Sequence, residues 1–379
     1  MHIIMKLSKL CNLRCTYCYE YAELANKERM PLAGVEYFFR HLADYVKQRQ
    51  KQTPIHLILH GGEALLLPES YLREFCELER RYLGEAGIEY TTSVQSNLVK
   101  VADRTLDLLA ELNISLGVSL DVFGDQRVDI KGRQSQDTVL ENLQRLIDRN
   151  IGFGAIAVLH AQNIDYVIPT YKFFNELGIN YRILPIFSHE DPPERIRPLL
   201  ISTAATVSAL QSVAKAQFAE PTNIRVMPLW IYFTAAIRHL QGHKIEAYEP
   251  ANEEWALIMN TNGDIYNHGD AYLPEGLMGN VFRQPLAEIF ATKSYEDTLK
   301  LRHQRLETCH RCVFDRQCNQ VPIAEAIPSE RTYDNMGTLQ CQVAQPMIQF
   351  MVEQIQECVD AQLLLKHYSS ESVPAMIGR

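Results

Sequence analysis

Three cysteines, Cys11, Cys15 and Cys18, stand close together near the start of the chain, directly after a strand-like apolar run over residues 2–7. Thiolates from one short loop can converge on a metal cluster. Because three ligands leave one metal position without a protein ligand, such a site keeps a place open for chemistry. The alternative interpretations are a structural zinc site short of one ligand, and three buried thiols that meet by chance.

A second group of four cysteines lies near the other end of the chain: Cys309, Cys312, Cys318 and Cys341. Four thiolates can close a cluster completely, which suits electron transfer or a structural role. The same spacing also permits a four-cysteine zinc site. The remaining cysteines, Cys76 and Cys358, fit the pattern of small buried hydrophobic residues.

Glycines and polar residues stand at the ends of the next three predicted strands: Gly61, Gly62 and Glu63 after the second, Asn97 after the third, and Ser119 and Asp121 at the end of the fourth. Glycines allow a backbone to approach a ligand closely, and a glutamate can bind an ammonium group. In parallel barrels the chemistry lies at the carboxyl ends of the strands. We therefore expect these residues to meet the first cysteine group at one rim, although Ser119 and Asp121 could instead cap the next element.

The segments that must position these residues alternate between strands and helices over the first half of the chain. Strands are predicted at 3–7, 55–59, 91–94, 114–120, 153–159 and 181–186, and helices at 34–48, 69–83, 102–112, 137–149 and 167–177. Such alternation is typical of an α/β fold with a parallel sheet. Since six units fall short of the eight that close a full barrel, we predict a partial (β/α)6 TIM-like barrel.

After residue 186 the pattern changes. A proline-broken acidic loop is followed by a helical region over 203–243 and by a hairpin over 255–259 and 264–266, which turns through Asn262-Gly263. A last helix is predicted at about 346–365. The predicted domains are a barrel over 1–200, a helical linker over 201–250, a cysteine-rich domain over 251–345, and a C-terminal helix and tail over 346–379.

Composition excludes several classes of protein. With a net charge of -9 over 379 residues, the chain lacks the basic surface that a large nucleic-acid footprint needs. It has no run of 18 apolar residues for a membrane span, and its first residues do not form a signal peptide. Nine cysteines without an export signal favour metal binding over disulfides. We therefore expect a cytoplasmic enzyme.

The first cysteine group, spaced Cys-x3-Cys-x2-Cys with Tyr17 before the last cysteine, resembles the signature of the radical S-adenosylmethionine (radical SAM) superfamily. The resemblance implies that Cys11, Cys15 and Cys18 hold a [4Fe-4S] cluster. S-adenosylmethionine would bind the fourth iron of this cluster. Reduction of the cluster would then cleave the bound S-adenosylmethionine and yield a 5'-deoxyadenosyl radical.

The glycine pair resembles the same family's Gly-Gly-Glu-Pro motif, with Ala64 in the proline position. The resemblance implies a set of cofactor contacts: Gly61, Gly62, Glu63, Asn97, Ser119, Asp121 and Arg127. For Arg127 the alternative is a solvated surface charge.

The second cysteine group resembles the SPASM extension of radical SAM peptide modifiers, with Gly279-Asn280-Val281 as its lead-in and a helix over 287–290. A full extension carries seven cysteines for two auxiliary clusters, but here Pro322 and His268 stand at two of the cysteine positions. We therefore predict two [4Fe-4S] clusters, one catalytic and one auxiliary. His268 and Asp270, with Tyr272 nearby, are candidates for a proton acceptor or for lining a substrate pocket. A solvated loop is the alternative for them.

The resemblance implies a maturase that modifies a ribosomally made precursor peptide, and we favour a carbon-carbon, cyclophane-type crosslink. Epimerisation, thioether formation and sulfatase maturation are alternatives, and the last is disfavoured because Gly269 replaces the expected aspartate base. Expected partners are the peptide and an external electron donor such as flavodoxin or ferredoxin. A peptide leader would be recognised by the helical insert, the cysteine-rich domain or a separate leader-binding protein. Outside this class, the chain could be an iron-sulfur electron carrier or a zinc-binding scaffold.

Overall fold

The computed structural model describes residues 1–49, 54–186, 192–220, 224–247, 249, 256–266, 276–318, 332–335 and 339–357. The chain forms two compact units that alternate along the sequence. Unit 1 comprises Met1–Ser119, Gln126–Phe153 and Glu249–Arg302, and unit 2 comprises Leu120–Asp125, Gly154–Tyr248 and His303–Arg379.

The regular elements are as follows. The strands are β1 (His2–Ser8), β2 (Ile55–Gly61), β3 (Tyr90–Ser96), β4 (Ile114–Ser119), β5 (Phe153–Leu159), β6 (Tyr181–Pro185), β7 (Val226–Met227), β8 (Leu257–Met259), β9 (Asp264–Tyr266) and β10 (Leu277–Asn280). The helices are α1 (Leu32–Gln48), α2 (Glu69–Glu79), α3 (Asp103–Glu111), α4 (Gln136–Asp148), α5 (Val167–Glu176), α6 (Thr203–Ala219), α7 (Leu229–Gln241), α8 (Leu286–Ile289), α9 (Lys293–His310) and α10 (Ala344–Glu357).

In unit 1, strands β1, β2, β3 and β4 pair side by side and run parallel. Ile3, Met5 and Leu7 of β1 are fully buried on one face, because alternate residues of a strand point to the same side. The register places Lys6 opposite His60 and shifts between Lys6 and Ser8. The carboxyl ends of these strands therefore lie along one edge, as predicted.

The hairpin predicted after the helical region is confirmed, and it joins the sheet of unit 1. Strand β8 pairs parallel to β1 on the side away from β2, and β9 and β10 continue the sheet antiparallel. Both edges of β1 are thus hydrogen-bonded, an arrangement that the sequence did not predict.

In unit 2, strands β5, β6 and β7 pair in parallel, and helix α10 packs against α6 and α7. The last helix, predicted at about 346–365, buries Ile348, Met351, Val352 and Ile355, whereas Cys358 and the residues after it lie outside the described residues. Within the described part, the segment Arg197–Ala219 is long and apolar enough for a membrane span, which on its own is weak evidence.

The alternation predicted from the sequence is confirmed. Each of the six predicted strands and five predicted helices over residues 1–186 is present, with ends within a few residues. The helical region predicted over 203–243 consists of the two helices α6 and α7. The division into four domains stays a prediction.

A buried carboxyl at the end of α2 should make the stability of the fold depend on pH. Glu79 is 3% exposed and accepts a hydrogen bond from Thr92 Oγ1 at 2.9 Å. Burial raises the pKa of Glu79 from 4.5 to about 7. Since the folded chain then binds this proton more tightly than the unfolded chain, stability falls as the pH rises from about 4.5 to about 7.

We expect Glu79→Gln to raise the melting temperature at pH 8 and to leave it nearly unchanged at pH 5. The gain at pH 8 should be about 1–3 kcal/mol, because the buried negative charge is removed. Thermal unfolding at the two pH values measures it. Glu77→Gln, at an exposed site on the same helix, is the control and should give no gain. An equal gain from Glu79→Gln at both pH values would contradict this interpretation.

Candidate functional site

The glycine pair at the end of β2 lies directly against the backbone that leads into the first cysteine group. Gly62 N donates to Ser8 O at 2.7 Å, and Glu63 N donates to Leu10 O at 2.9 Å. A Cβ atom at Gly61 would lie 2.1 Å from Ser8 O, and one at Gly62 would lie 2.3 Å from Lys9 O. Gly61 also has a φ of 130°, which disfavours other residues. Only glycines therefore allow these two segments to touch.

The loop that carries the first cysteines is fixed on its other side by residues 126–129 of the same unit. Arg14 N donates to Val128 O at 2.7 Å, and Thr16 N donates to Gln126 O at 3.0 Å. Within the loop, Cys18 N donates to Cys15 O at 3.0 Å. These backbone hydrogen bonds fix the path of the loop that carries the thiols.

The thiols of this loop are close enough to affect one another. Burial raises the pKa of Cys11 to about 11 and that of Cys18 to about 12, and the neighbouring Cys15 raises both further. Cys11 Sγ accepts hydrogen bonds from Leu13 N at 3.4 Å and from Asn97 Nδ2 at 3.6 Å. Buried thiols keep their protons unless a cation replaces them. Their number, chemistry and hydrogen-bond donors fit a three-cysteine iron-sulfur cluster.

Glu63 and Asn97 connect the ends of β2 and β3 with this loop. The Glu63 carboxylate is 3% exposed and accepts hydrogen bonds from Leu65 N at 3.0 Å and Asn97 N at 2.7 Å. Asn97 Nδ2 donates to Asn12 Oδ1 at 2.9 Å. The structure thus brings Gly61, Gly62, Glu63 and Asn97 to the cysteine loop. Their contacts with a cofactor stay a prediction.

The other predicted contact residues have defined partners. Ser119 Oγ accepts a hydrogen bond from Gln95 Nε2 at 2.8 Å. Arg127 is 7% exposed and donates from Nη1 to Tyr17 Oη at 3.1 Å, so its interpretation as a solvated surface charge is wrong. Asp121, in unit 2, accepts a hydrogen bond from Val158 N at 2.7 Å and thereby binds the end of β5.

A buried ion pair that the sequence analysis missed lies beside the first cysteine group. Lys6 of β1 is 2% exposed and Glu20 is 5% exposed, and the two side chains form an ion pair. The Lys6 Nζ atom also lies 4.4 Å from the centre of the Tyr19 ring. Burial lowers the pKa of Lys6 to about 8, although Glu20 opposes this effect. A lysine inside an apolar strand was the signal that could have revealed the pair.

His60, which pairs with Lys6 in the β1–β2 register, directly precedes the glycine pair. Burial lowers the pKa of His60 to about 4, and the charge of Lys6 lowers it further. The imidazole is therefore neutral around pH 7, so the buried positive charge at this place belongs to Lys6.

The four distal cysteines come together in unit 2. Burial raises the pKa of Cys309 to about 12, and Cys318, Cys341 and Cys312 all raise it further because they lie nearby. Backbone amides donate to two of the thiols: Phe314 N to Cys312 Sγ at 3.5 Å, and Gln345 N to Cys341 Sγ at 3.3 Å. A buried group of four thiols, two of them with backbone amide donors, fits a cluster with four cysteine ligands.

Among the described residues, no three or more His, Cys, Asp or Glu side chains are arranged to hold a metal ion. The candidate proton acceptors His268 and Asp270, together with Gly269, Tyr272 and Pro322, lie outside the described residues.

Comparisons with known proteins show which family this chain resembles. Residues 5–174 match the family model of the radical SAM superfamily. A serine-type anaerobic sulfatase-maturating enzyme of Bacteroides thetaiotaomicron is 24% identical, and the match covers 84% of this chain and 81% of that protein. A cysteine-type anaerobic sulfatase-maturating enzyme of Clostridium novyi is 21% identical, with 86% of each chain covered.

Two solved structures are similar in fold. The enzyme anSMEcpe with bound AdoMet superposes with a TM-score of 0.73 at 15% identity, covering 98% of this chain and 96% of that one. SuiB of Streptococcus suis, bound to the precursor peptide SuiA, gives a TM-score of 0.56 at 17% identity, covering 84% and 70%. At such identities the likeness shows the fold alone, and it confirms the predicted α/β class.

We expect Gly62→Ala to lower both the iron content after anaerobic reconstitution and the melting temperature. The added methyl group would meet two backbone carbonyl oxygens, at 2.3 and 2.4 Å, and this overpacking should cost about 1–3 kcal/mol. The control is Gly152→Ala, where a Cβ atom meets nothing within 4 Å. Iron and thermal unfolding are measured for both variants. Equal behaviour of the two would show that the close approach is unimportant.

Proposed function

Because this chain carries a radical SAM domain over residues 5–174, and is an enzyme as its sulfatase-maturating relatives are, we propose that it modifies a side chain within a peptide or protein. The observation that carries the proposal is the three-thiol loop held against Gly62 and Glu63. When bound there, the cluster and S-adenosylmethionine supply a 5'-deoxyadenosyl radical that removes a hydrogen atom from the substrate.

The residues of the chain would hold the cofactors in a fixed arrangement. Cys11, Cys15 and Cys18 would ligate the catalytic cluster, and the glycine pair keeps their loop in place. Glu63 retains acceptor positions beyond its two backbone hydrogen bonds, so its carboxylate can also receive the cofactor's ammonium group. The remaining contacts that we propose are Gly61, Gly62, Asn97, Ser119, Asp121 and Arg127.

We place a second [4Fe-4S] cluster on the four distal cysteines. Its closed ligand set leaves no position for a substrate and suits electron transfer or structure. Reduction of the catalytic cluster requires an external donor such as flavodoxin or ferredoxin, and a cytoplasmic location would keep the thiols reduced. A peptide substrate could also need a separate leader-binding protein.

For the reaction itself, our first candidate is a carbon-carbon crosslink of the cyclophane type in a precursor peptide. It rests on the residues that replace cysteines at positions 268 and 322. The second candidate is sulfatase maturation, which the curated relatives favour. The argument against it depends on Gly269, outside the described residues. In either reaction the substrate must be oxidised after it loses the hydrogen atom.

Tandem mass spectrometry distinguishes the two candidates. A sulfatase-derived peptide containing serine or cysteine, and a peptide encoded beside the gene, would each be incubated anaerobically with the reconstituted enzyme and S-adenosylmethionine. A change confined to one serine or cysteine supports sulfatase maturation, whereas missing fragments between two joined residues support a crosslink. If neither peptide changes while 5'-deoxyadenosine forms, both candidate substrates are wrong.

Replacing Cys11, Cys15 and Cys18 together by Ala should abolish the formation of 5'-deoxyadenosine, because no ligands for the catalytic cluster remain. Liquid chromatography under reducing anaerobic conditions measures the product. Cys76→Ala removes a partly buried thiol outside both cysteine groups and should keep normal product formation. Product from the triple variant would show that the catalytic cluster lies elsewhere.

Cys318→Ala should distinguish the role of the second cluster from that of the catalytic cluster. We expect it to retain cleavage of S-adenosylmethionine while peptide turnover falls at least tenfold, because the second cluster would be lost. Both products are measured in the same reaction mixture. Unchanged peptide turnover with only one cluster present would show that the second cluster is dispensable.

A further inference from the structure

The side chain of Gln95 in β3 reaches across the sheet of unit 1 to the end of β4. In the β3–β4 register, Gln95 stands opposite Gly117. Ser119 lies on the same face of β4 as Gly117, because alternate residues of a strand share a face. Gln95 Nε2 donates to Ser119 Oγ at 2.8 Å. The amide therefore bonds diagonally to the residue at which β4 ends.

Gly117 makes this diagonal path possible. A Cβ atom on Gly117 would lie 2.3 Å from Gln95 Oε1 and 3.2 Å from Gln95 Cδ, so the amide occupies the place that a side chain at position 117 would take. This place also determines which way round the amide lies. A carbonyl oxygen can accept a weak hydrogen bond from a Cα–H group, whereas an NH2 group would find no acceptor there. Nε2 is therefore the atom that faces Ser119.

The contact with Gln95 decides how the Ser119 hydroxyl can interact with a ligand. A hydroxyl group has one proton to donate and two lone pairs that accept. Since Ser119 Oγ accepts the amide proton of Gln95, its own proton points away from that amide. Among the residues that the structure describes, no acceptor takes this proton. Ser119 is half-buried, so its proton is available to a molecule bound at the strand ends.

We propose that Gln95, seated on Gly117, is a positioning residue that makes the Ser119 hydroxyl a hydrogen-bond donor to an acceptor atom of bound S-adenosylmethionine. Gln95 acts only through Ser119 and does not itself touch the cofactor. A hydroxyl that is already oriented loses less rotational freedom when the ligand binds, so the amide strengthens binding. The inference rests on Ser119 as a cofactor contact of the proposed function.

The test measures the binding of S-adenosylmethionine to the anaerobically reconstituted, oxidised enzyme by isothermal titration calorimetry, so no turnover is needed. Ser119→Ala should raise the dissociation constant at least about threefold, because one hydrogen bond is lost. If the unaltered enzyme does not bind the cofactor, the proposed function is wrong. If it binds equally well after Ser119→Ala, the proposed contact at Ser119 is wrong. In both cases the inference about Gln95 falls as well.

Gln95→Met keeps the length of the side chain and removes its amide. We expect the dissociation constant to rise about three- to tenfold, and to rise no further when the same substitution is made together with Ser119→Ala. Ser93→Ala is the matched control, because Ser93 lies on the same face of β3 and its Oγ also has a side-chain partner, His56 Nε2 at 3.2 Å. It should leave binding unchanged. Normal binding by Gln95→Met, an equal loss in the control, or an equal loss without the Ser119 hydroxyl would overturn the proposal.

A second variant covers the case in which Gln95→Met fails to fold or to hold iron. Gly117→Ala keeps the glutamine but places a methyl group where its amide now lies, so the hydrogen bond to Ser119 should break. We expect the dissociation constant to rise as it would in Gln95→Met, and this rise should again be absent together with Ser119→Ala. Unchanged binding of S-adenosylmethionine by Gly117→Ala would overturn the proposal.

Discussion

The site depends on one close approach of two backbone segments. The end of β2 and the start of the cysteine loop touch at Gly61 and Gly62, where no side chain fits, and backbone hydrogen bonds join them. Glu63 extends the connection to the end of β3 through Asn97. Because each strand end is bonded to the next, the backbone itself fixes where the three thiols lie. Contacts that order a ligand set in this way reduce the conformational entropy lost on binding.

Buried charges and titratable groups also surround the cysteine groups. Buried thiols resist ionisation, as their raised pKa values show, and a buried Lys6–Glu20 pair lies beside them. Removing one partner of such a pair is more harmful than replacing both, since it leaves an uncompensated charge in the interior. At the distal site, burial lowers the pKa of Arg238, whereas the charge of Cys318 raises it. Each cysteine group therefore has one cationic side chain, Lys6 or Arg238, whose pKa responds to one of its thiols.

The sequence predicted the alternation of strands and helices because hydrophobic periodicity is local. It also predicted both cysteine groups and the meeting of Glu63 and Asn97 with the first one, because parallel strands end at one edge. It assigned the glycine pair to a ligand, whereas in the structure the same glycines first admit the backbone of the cysteine loop. It missed the Lys6–Glu20 ion pair and the pairing of β8 with β1. These contacts join residues whose spacing has no period, so only the folded chain reveals them.

The order of segments along the chain also bears on how the protein is made. Strand β1 is synthesised first, but its partner β8 belongs to a segment that follows most of unit 2. Until that segment leaves the ribosome, β1 has one unpaired edge next to the cysteine loop, and an open strand edge can pair with other chains. Since long-range partners arrive late, partly made chains are exposed to aggregation. The yield of soluble enzyme in a foreign host should therefore respond to slower translation and to chaperones, and not only to the supply of iron and sulfide.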